Sequence, residues 1–153
     1  MKILLTGEKN SGKSTFAYNM CKNRCSGVIC LPVFENGIKI GSNAINLIDG
    51  KRKIFSRTKE KANYEGIEMH NYIISHEGMK HAIKAIEMGL KSKKMIVLDE
   101  IGNIEMKHFG YYFILKKILD SNKNAIIIVR KSIIKKFMEE FPGNYIIIEI
   151  SIV

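Results

Sequence analysis

Residues Gly7-Glu8-Lys9-Asn10-Ser11-Gly12-Lys13-Ser14 carry the spacing G-x-x-x-x-G-K-[ST]. Those residue types in that order suit one task, holding a chain of phosphates. The two glycines leave the backbone free to curl and to approach an anion closely, where a Cβ would stand in the way. Successive amide N–H groups then line a concave anion site, and a helix starting behind them adds partial positive charge. In such a loop Lys13 reaches the β- and γ-phosphates and the Ser14 hydroxyl ligates Mg²⁺. The phosphate-binding set therefore runs from Gly7, Glu8, Lys9, Asn10, Ser11 and Gly12 through Lys13 and Ser14 to Thr15. A nucleoside triphosphate is the expected ligand.

A loop of this kind needs a carboxylate from a neighbouring strand to complete the metal site. Met95-Ile96-Val97-Leu98-Asp99 supplies four apolar residues and then an acid, so Asp99 is the candidate Mg²⁺ ligand beside Ser14. Glu100 follows at once, where a base can take a proton from the water that attacks the γ-phosphate. Alone, Asp99-Glu100 would read as ordinary strand-end acids; paired with the complete loop they read as catalytic. Glu105 is a weaker second acid, either a helix-start carboxylate or a residue supporting the first two. Arg130, after the apolar run Ala125 to Val129, is the candidate catalytic cation alongside Lys13 and Glu100, with Arg52 and Arg57 as rivals. A guanine-reading N-K-x-D is missing: Asn122-Lys123-Asn124-Ala125 lacks the acid and precedes a strand, which argues against a switch GTPase. His70, His76, His81 and His108 show no i,i+4 metal pair and are expected at the surface.

The elements that must position these groups are legible in the apolar pattern. Ile3-Leu4-Leu5 reads as a buried strand before the loop, and residues 15–22 as a helix after it. Residues 27–32 are extended, Asn36-Gly37 signals a hairpin, and Asp49-Gly50 a second turn. Residues of about 28–66 therefore form an antiparallel β insertion, with Arg57 to Gly66 as a mobile loop. Ile67 to Ile74 is expected as one strand, and Ser75 as the N-cap of a helix carrying Met79, Ile83, Ile86 and Leu90 at helical spacing. A helix over 109–120, a strand over 125–129, a helix over 132–141 stopped by Pro142-Gly143 and a last strand over 145–150 complete the chain. Apolar strands alternating with helices predict one α/β domain over residues 1–153, with a mainly parallel sheet covered on both faces.

Composition narrows the setting. With 46% apolar and 26% charged residues in 153, the chain can bury a core, and no apolar run approaches the roughly 20 residues a bilayer span needs. The first strand starts at once, so no leader and no membrane association are expected, and the location is expected to be cytoplasmic. Cys21, Cys25 and Cys30 match no zinc or iron–sulfur spacing and read as half-buried thiols. The net charge of +10 attracts polyanions, but the lysines are scattered without interleaved aromatics, so nucleic acid is a disfavoured partner. A monomer is expected.

Taken together, Gly7 to Thr15, the β block and Leu98-Asp99-Glu100-Ile101-Gly102-Asn103-Ile104-Glu105-Met106 resemble the nucleoside triphosphatase family of thermophiles and humans, the "cancer-related" NTPases. Asp99 to Met106 follow the family's D-E-I-G-K-M-E-L apart from Asn103, Ile104 and Met106, and Gly37 to Ser42 echo its G-x-R-x-G-F. The likeness covers most of the chain. It implies a RecA-like α/β P-loop fold and slow, Mg²⁺-dependent hydrolysis of nucleoside triphosphates to diphosphates with broad base selectivity, with Lys13, Ser14, Asp99 and Glu100 in the roles given above. Five of the departures fall on polar residues of the family pattern. Cys30, Pro32 and Phe34 replace Thr, Glu and Arg of a G-[FY]-x-T-x-E-[VI]-R run, Lys39 replaces an Arg, and Asn103 a Lys. Two rival readings stay open: a small phosphotransferase whose insertion binds an acceptor, and a nucleotide-gated binding module without turnover.

Overall fold

The computed structural model describes residues 1–151. Its strands form a single nine-stranded sheet: β1 (Lys2–Gly7), β2 (Ser26–Glu35), β3 (Ile38–Asn46), β4 (Arg52–Thr58), β5 (Gly66–Glu68), β6 (Tyr72–Ser75), β7 (Ile96–Ile101), β8 (Ala125–Arg130) and β9 (Tyr145–Ile150). The spatial order is β5-β6-β4-β3-β2-β7-β8-β1-β9. Strands β2, β7, β8, β1 and β9 run parallel; β3, β4, β6 and β5 extend the sheet antiparallel from β2. The β insertion is thus one flank of the same sheet, with β2 shared between the two halves.

Five α-helices cover the sheet: α1 (Lys13–Cys21), α2 (His76–Leu90), α3 (Asn103–Met106), α4 (Tyr112–Asp120) and α5 (Ile134–Glu140). Side-chain alternation in the strands divides the core in two. Leu4, Leu98 and Ile127 face a layer built with α2, α4 and α5. Leu5, Val97 and Ile128 face the smaller layer under α1, where Ala17 and Cys21 are buried. Helices therefore lie on both faces, as the near-continuous apolar runs require.

Local chemistry sets the joints. Asn36 and Gly37 take φ values of 52° and 78°, the left-handed pair of a tight hairpin, which turns β2 into β3. Ser75 caps α2, its hydroxyl accepting the Gly78 amide at 3.1 Å, and Met79 and Ile86 are buried below. Three expectations are corrected. Residues 67–74 form a hairpin of two short strands, β5 and β6, because the polar pair His70-Asn71 breaks the apolar run. The segment expected as a mobile loop is partly strand, since β4 continues to Thr58, and the Tyr64 hydroxyl then ties its far end to the Ile73 carbonyl at 2.5 Å. The antiparallel block consequently runs to Ser75. The helix expected from residue 109 starts at Tyr112, because Gly110 adopts a φ of 62°.

Candidate active site

The site is assembled at the C-terminal tips of three adjacent parallel strands. Gly7, at the end of β1, stands in register with Arg130, at the end of β8; beyond β8 lies the tip of β7 with Asp99 and Glu100. Ligands in open α/β sheets bind at this edge. From Gly7 the chain enters the loop and then α1, whose N-terminus has no side-chain cap and no acid in its first turn. Its leading amides are left for an anion. Gly12 holds a φ of 84°. A Cβ on Gly7 would sit 2.6 Å from both the Ile150 carbonyl and the Ser11 hydroxyl, so the loop closes over this position only as glycine. The Lys13 ammonium donates to the Glu8 carbonyl at 2.9 Å, which holds the side chain folded over the loop. The Ser11 hydroxyl is buried without a protein partner; a buried polar group of this kind seeks a ligand or water.

The acids are presented by a bulge. Leu98 pairs with Ile127 and Ile101 with Val129, so two residues of β7, Asp99 and Glu100, oppose the single Ile128 of β8. Such an extra residue bends a strand and re-aims its side chains. Here it turns Asp99 inward and Glu100 out into the cleft, and Glu100 takes a φ of 68°. Strain at a non-glycine residue of this kind is typical of catalytic positions. Asp99 is 2% exposed. Its carboxylate accepts the Cys30 amide at 2.9 Å and the Glu100 amide at 2.8 Å, and the Ser14 hydroxyl lies near enough to favour its charged form.

Charge converges on this pair. Burial pushes the Asp99 carboxyl above its ordinary value, against the pull of the Ser14, Cys30 and Glu100 hydrogen bonds and of Lys13. Glu100 is pushed up to about 7, first by withdrawal from bulk solvent and then by the adjacent Asp99 charge, with Lys39, Arg130 and Lys13 opposing. Protein surrounds this residue, yet its side chain still meets the water filling the cleft, which tempers the shift. Burial lowers the Lys13 ammonium, and Asp99 restores part of its basicity.

The sequence-predicted groups from Lys9 to Thr15, Asp99, Glu100 and Arg130 all line one cleft of about 810 Å³. Arg52 and Arg57 do not. Arg57 is spent on the Ser42 and Ser56 carbonyls and the Asn43 side chain, at 2.7–3.0 Å, and Arg52 lies by the Tyr18 hydroxyl at 3.5 Å. Glu105 is fully buried, its two oxygens accepting the Gly102 amide at 2.8 Å and the Tyr111 amide at 3.0 Å; it fastens the loop that follows the acids. The cleft position of two residues escaped the sequence reading. Lys39 of the insertion lines the cleft and its charge opposes the rise of the Glu100 carboxyl; the register shift beside it, between Val33 and Phe34, leaves no motif. His70 is exposed, as expected, and lies where the cleft opens to the surface.

The oxygen-only pair Ser14 and Asp99, both lining the cleft, suits Mg²⁺, which takes one or two protein oxygens and completes its shell with phosphates and water. No cluster of three or more His, Cys, Asp or Glu able to hold a metal occurs among the described residues, so a transition-metal centre has no ligand set here.

A phosphate loop on one strand tip, an acid pair two strands away and a basic residue on the strand between them define an α/β P-loop nucleotide-binding domain. The family model described as NTPase matches residues 2–151, and the chain belongs to that family. It is 29% identical over 135 residues to nucleoside-triphosphatase THEP1 of Thermotoga petrophila, covering 86% of this chain and 73% of that one. The crystal structure of THEP1 from Aquifex aeolicus superposes with a TM-score of 0.75 at 24% identity, over 99% of this chain and 90% of that one. The solution structure of a human cancer-related nucleoside triphosphatase does so with a TM-score of 0.63 at 18% identity, over 99% and 88%.

Proposed function

We propose that this protein is a Mg²⁺-dependent nucleoside triphosphatase that converts a triphosphate to a diphosphate and inorganic phosphate. The observation that carries this reading is the bulge of β7, which places Glu100 in the cleft beside the Asp99–Ser14 pair. Lys13 and the loop amides bind the phosphate chain, with Arg130 positioned to neutralise charge as it develops. Glu100 accepts the proton of the attacking water while the bond from the γ-phosphorus to the bridging oxygen breaks. Bound Mg²⁺, held by Ser14 and Asp99, supplies charge neutralisation across the phosphates.

The binding set from Gly7 to Thr15 recognises phosphate and not a base, which supports broad base selectivity. All of these groups come from a single chain, which supports action as a monomer. The three thiols, free and buried, suit a reducing, cytoplasmic setting, and no helix among the described residues is long and apolar enough to cross a membrane.

Phosphate release from ATP, GTP, CTP and UTP with Mg²⁺ tests the reading. Lys13→Ala is expected to lose nucleotide binding and turnover together. Glu100→Gln is expected to bind nucleotide normally and lose turnover by about 100-fold or more; wild-type rates in that variant would remove Glu100 from the mechanism.

A further inference from the structure

The cleft is longer than the triphosphate needs. The polarity of the loop fixes the direction in which a nucleotide lies, an inference that rests on the hydrolase reading above. A γ-phosphate bound by Lys13 beside Asp99 and Glu100 would lie on the β7 side of the loop, which would direct the nucleoside away from the insertion. Yet the cleft continues past the acids in the other direction, over the ends of β2, β3 and β6.

The walls there have a definite chemistry. Phe34 presents its ring to the open cleft at 60% exposure, backed by Pro32. Lys39 stands 5.9 Å from the centre of the Tyr72 ring, with no carboxylate paired to it in a salt bridge among the described residues. Asn71 and Asn103 bring side-chain amides to the rim. A flat exposed aromatic, a free ammonium and amides that can read a heterocycle edge are complementary to one ligand type, a planar ring carrying a negative charge.

A second observation points the same way. Five of the positions at which this chain departs from the family pattern, Cys30, Pro32, Phe34, Lys39 and Asn103, line this same cleft, while two others, Ser42 and Met106, do not. Three of them, Phe34, Lys39 and Asn103, supply the ring, the cation and one amide just described. The phosphate loop and the acid pair are intact. The substitutions are therefore concentrated where they would change what is bound beyond the γ-phosphate.

We propose that the insertion half of the cleft is a second ligand site, occupied by a nucleoside monophosphate whose base stacks on Phe34 and whose phosphate pairs with Lys39, beside the triphosphate and not in its place. Such a ligand sits on the solvent side of Glu100, where its occupancy controls access of water to the γ-phosphate.

Titration calorimetry with AMP, GMP, CMP and UMP, and with the four nucleosides, tests this on wild-type protein saturated with Mg²⁺ and a non-hydrolysable triphosphate. The same titrations are run on the Lys13→Ala protein without analogue. At least one monophosphate is expected to bind both proteins with the same affinity. Phe34→Ala is expected to weaken that binding at least tenfold while basal hydrolysis stays unchanged. Lys39→Ala is expected to erase the preference for the monophosphate over its nucleoside. The proposal is overturned if no monophosphate binds, if the analogue or Lys13→Ala abolishes binding, or if Phe34→Ala leaves affinity unchanged. Absence of triphosphate turnover in the wild type would instead strike the hydrolase reading, while monophosphate binding to the Lys13→Ala protein would stand.

Discussion

Glu100 combines two demands in one residue. Its carboxyl must meet the attacking water, and its backbone must adopt a left-handed conformation with φ at 68° to put it there. A side chain bearing a Cβ pays about 1–2 kcal/mol for that conformation. Glu100→Gly is therefore expected to raise the unfolding free energy by about 1 kcal/mol in denaturant titration while abolishing hydrolysis, the reverse of what an ordinary strand residue would do. Glu105 acts differently. It is buried among the Gly102 and Tyr111 amides and carries no counter-cation, so burial pushes its carboxyl up to about 7 from an ordinary 4.5. Because the folded state holds this proton more tightly than the unfolded one, stability is full below about pH 4.5 and falls as pH rises toward and through 7. The loss from this group is on the order of 3 kcal/mol. Urea titrations between pH 4.5 and 8 should show that slope, and Glu105→Gln should make it shallower, the remainder coming from the other raised carboxyls, Glu100 and Asp99.

At the scale of elements, the site depends on the junction where β1 runs into the loop against β9. The added Cβ of Gly7→Ala would meet the Ile150 carbonyl and the Ser11 hydroxyl at 2.6 Å. The first is backbone and cannot swing away, so β9 must shift from β1 and the loop must open. We expect a loss of about 1–3 kcal/mol in stability and at least tenfold weaker triphosphate binding in the same calorimetric assay. The element that bears the acids was only half legible. Ile96-Val97-Leu98-Asp99 announces a buried strand ending in a carboxylate, but the bulge that separates the fates of Asp99 and Glu100 depends on the register with β8, which no local pattern encodes. The β5–β6 hairpin was missed for a related reason: strands of three and four residues are too short to show an alternation of their own.

At the scale of the whole molecule, a net charge of +10 surrounds a site whose ligand carries several negative charges. Attraction between them concentrates the ligand at the cleft mouth and is screened by salt. Raising potassium chloride from about 50 to about 500 mM should therefore increase KM for ATP several-fold while leaving kcat within about twofold, because the bound phosphates lie within the loop, where mobile ions screen them less. A comparable fall in kcat would mean that the scattered lysines act on the chemistry itself.

The sequence alone determined the phosphate loop, the acid pair, the α/β class and the antiparallel flank, because each rests on contacts between residues near in the chain. The G-x-x-x-x-G-K-[ST] spacing, the apolar run before Asp99 and the Asn36-Gly37 turn all write their geometry locally. Tertiary structure alone decided which cation reaches the acids. Arg130 is brought beside Gly7 by the pairing of β8 with β1, Arg57 is consumed by a carbonyl of its own strand and groups of the neighbouring β3, and Lys39 enters from an insertion some sixty residues before Glu100. It also decided that β9, the last strand, lies at the sheet edge with Ile146, Ile147 and Ile148 at 43–50% exposure. The physical reason is the same in each case. Strand order and register are set by packing between distant segments, and a side chain's type does not say which neighbour the sheet will give it.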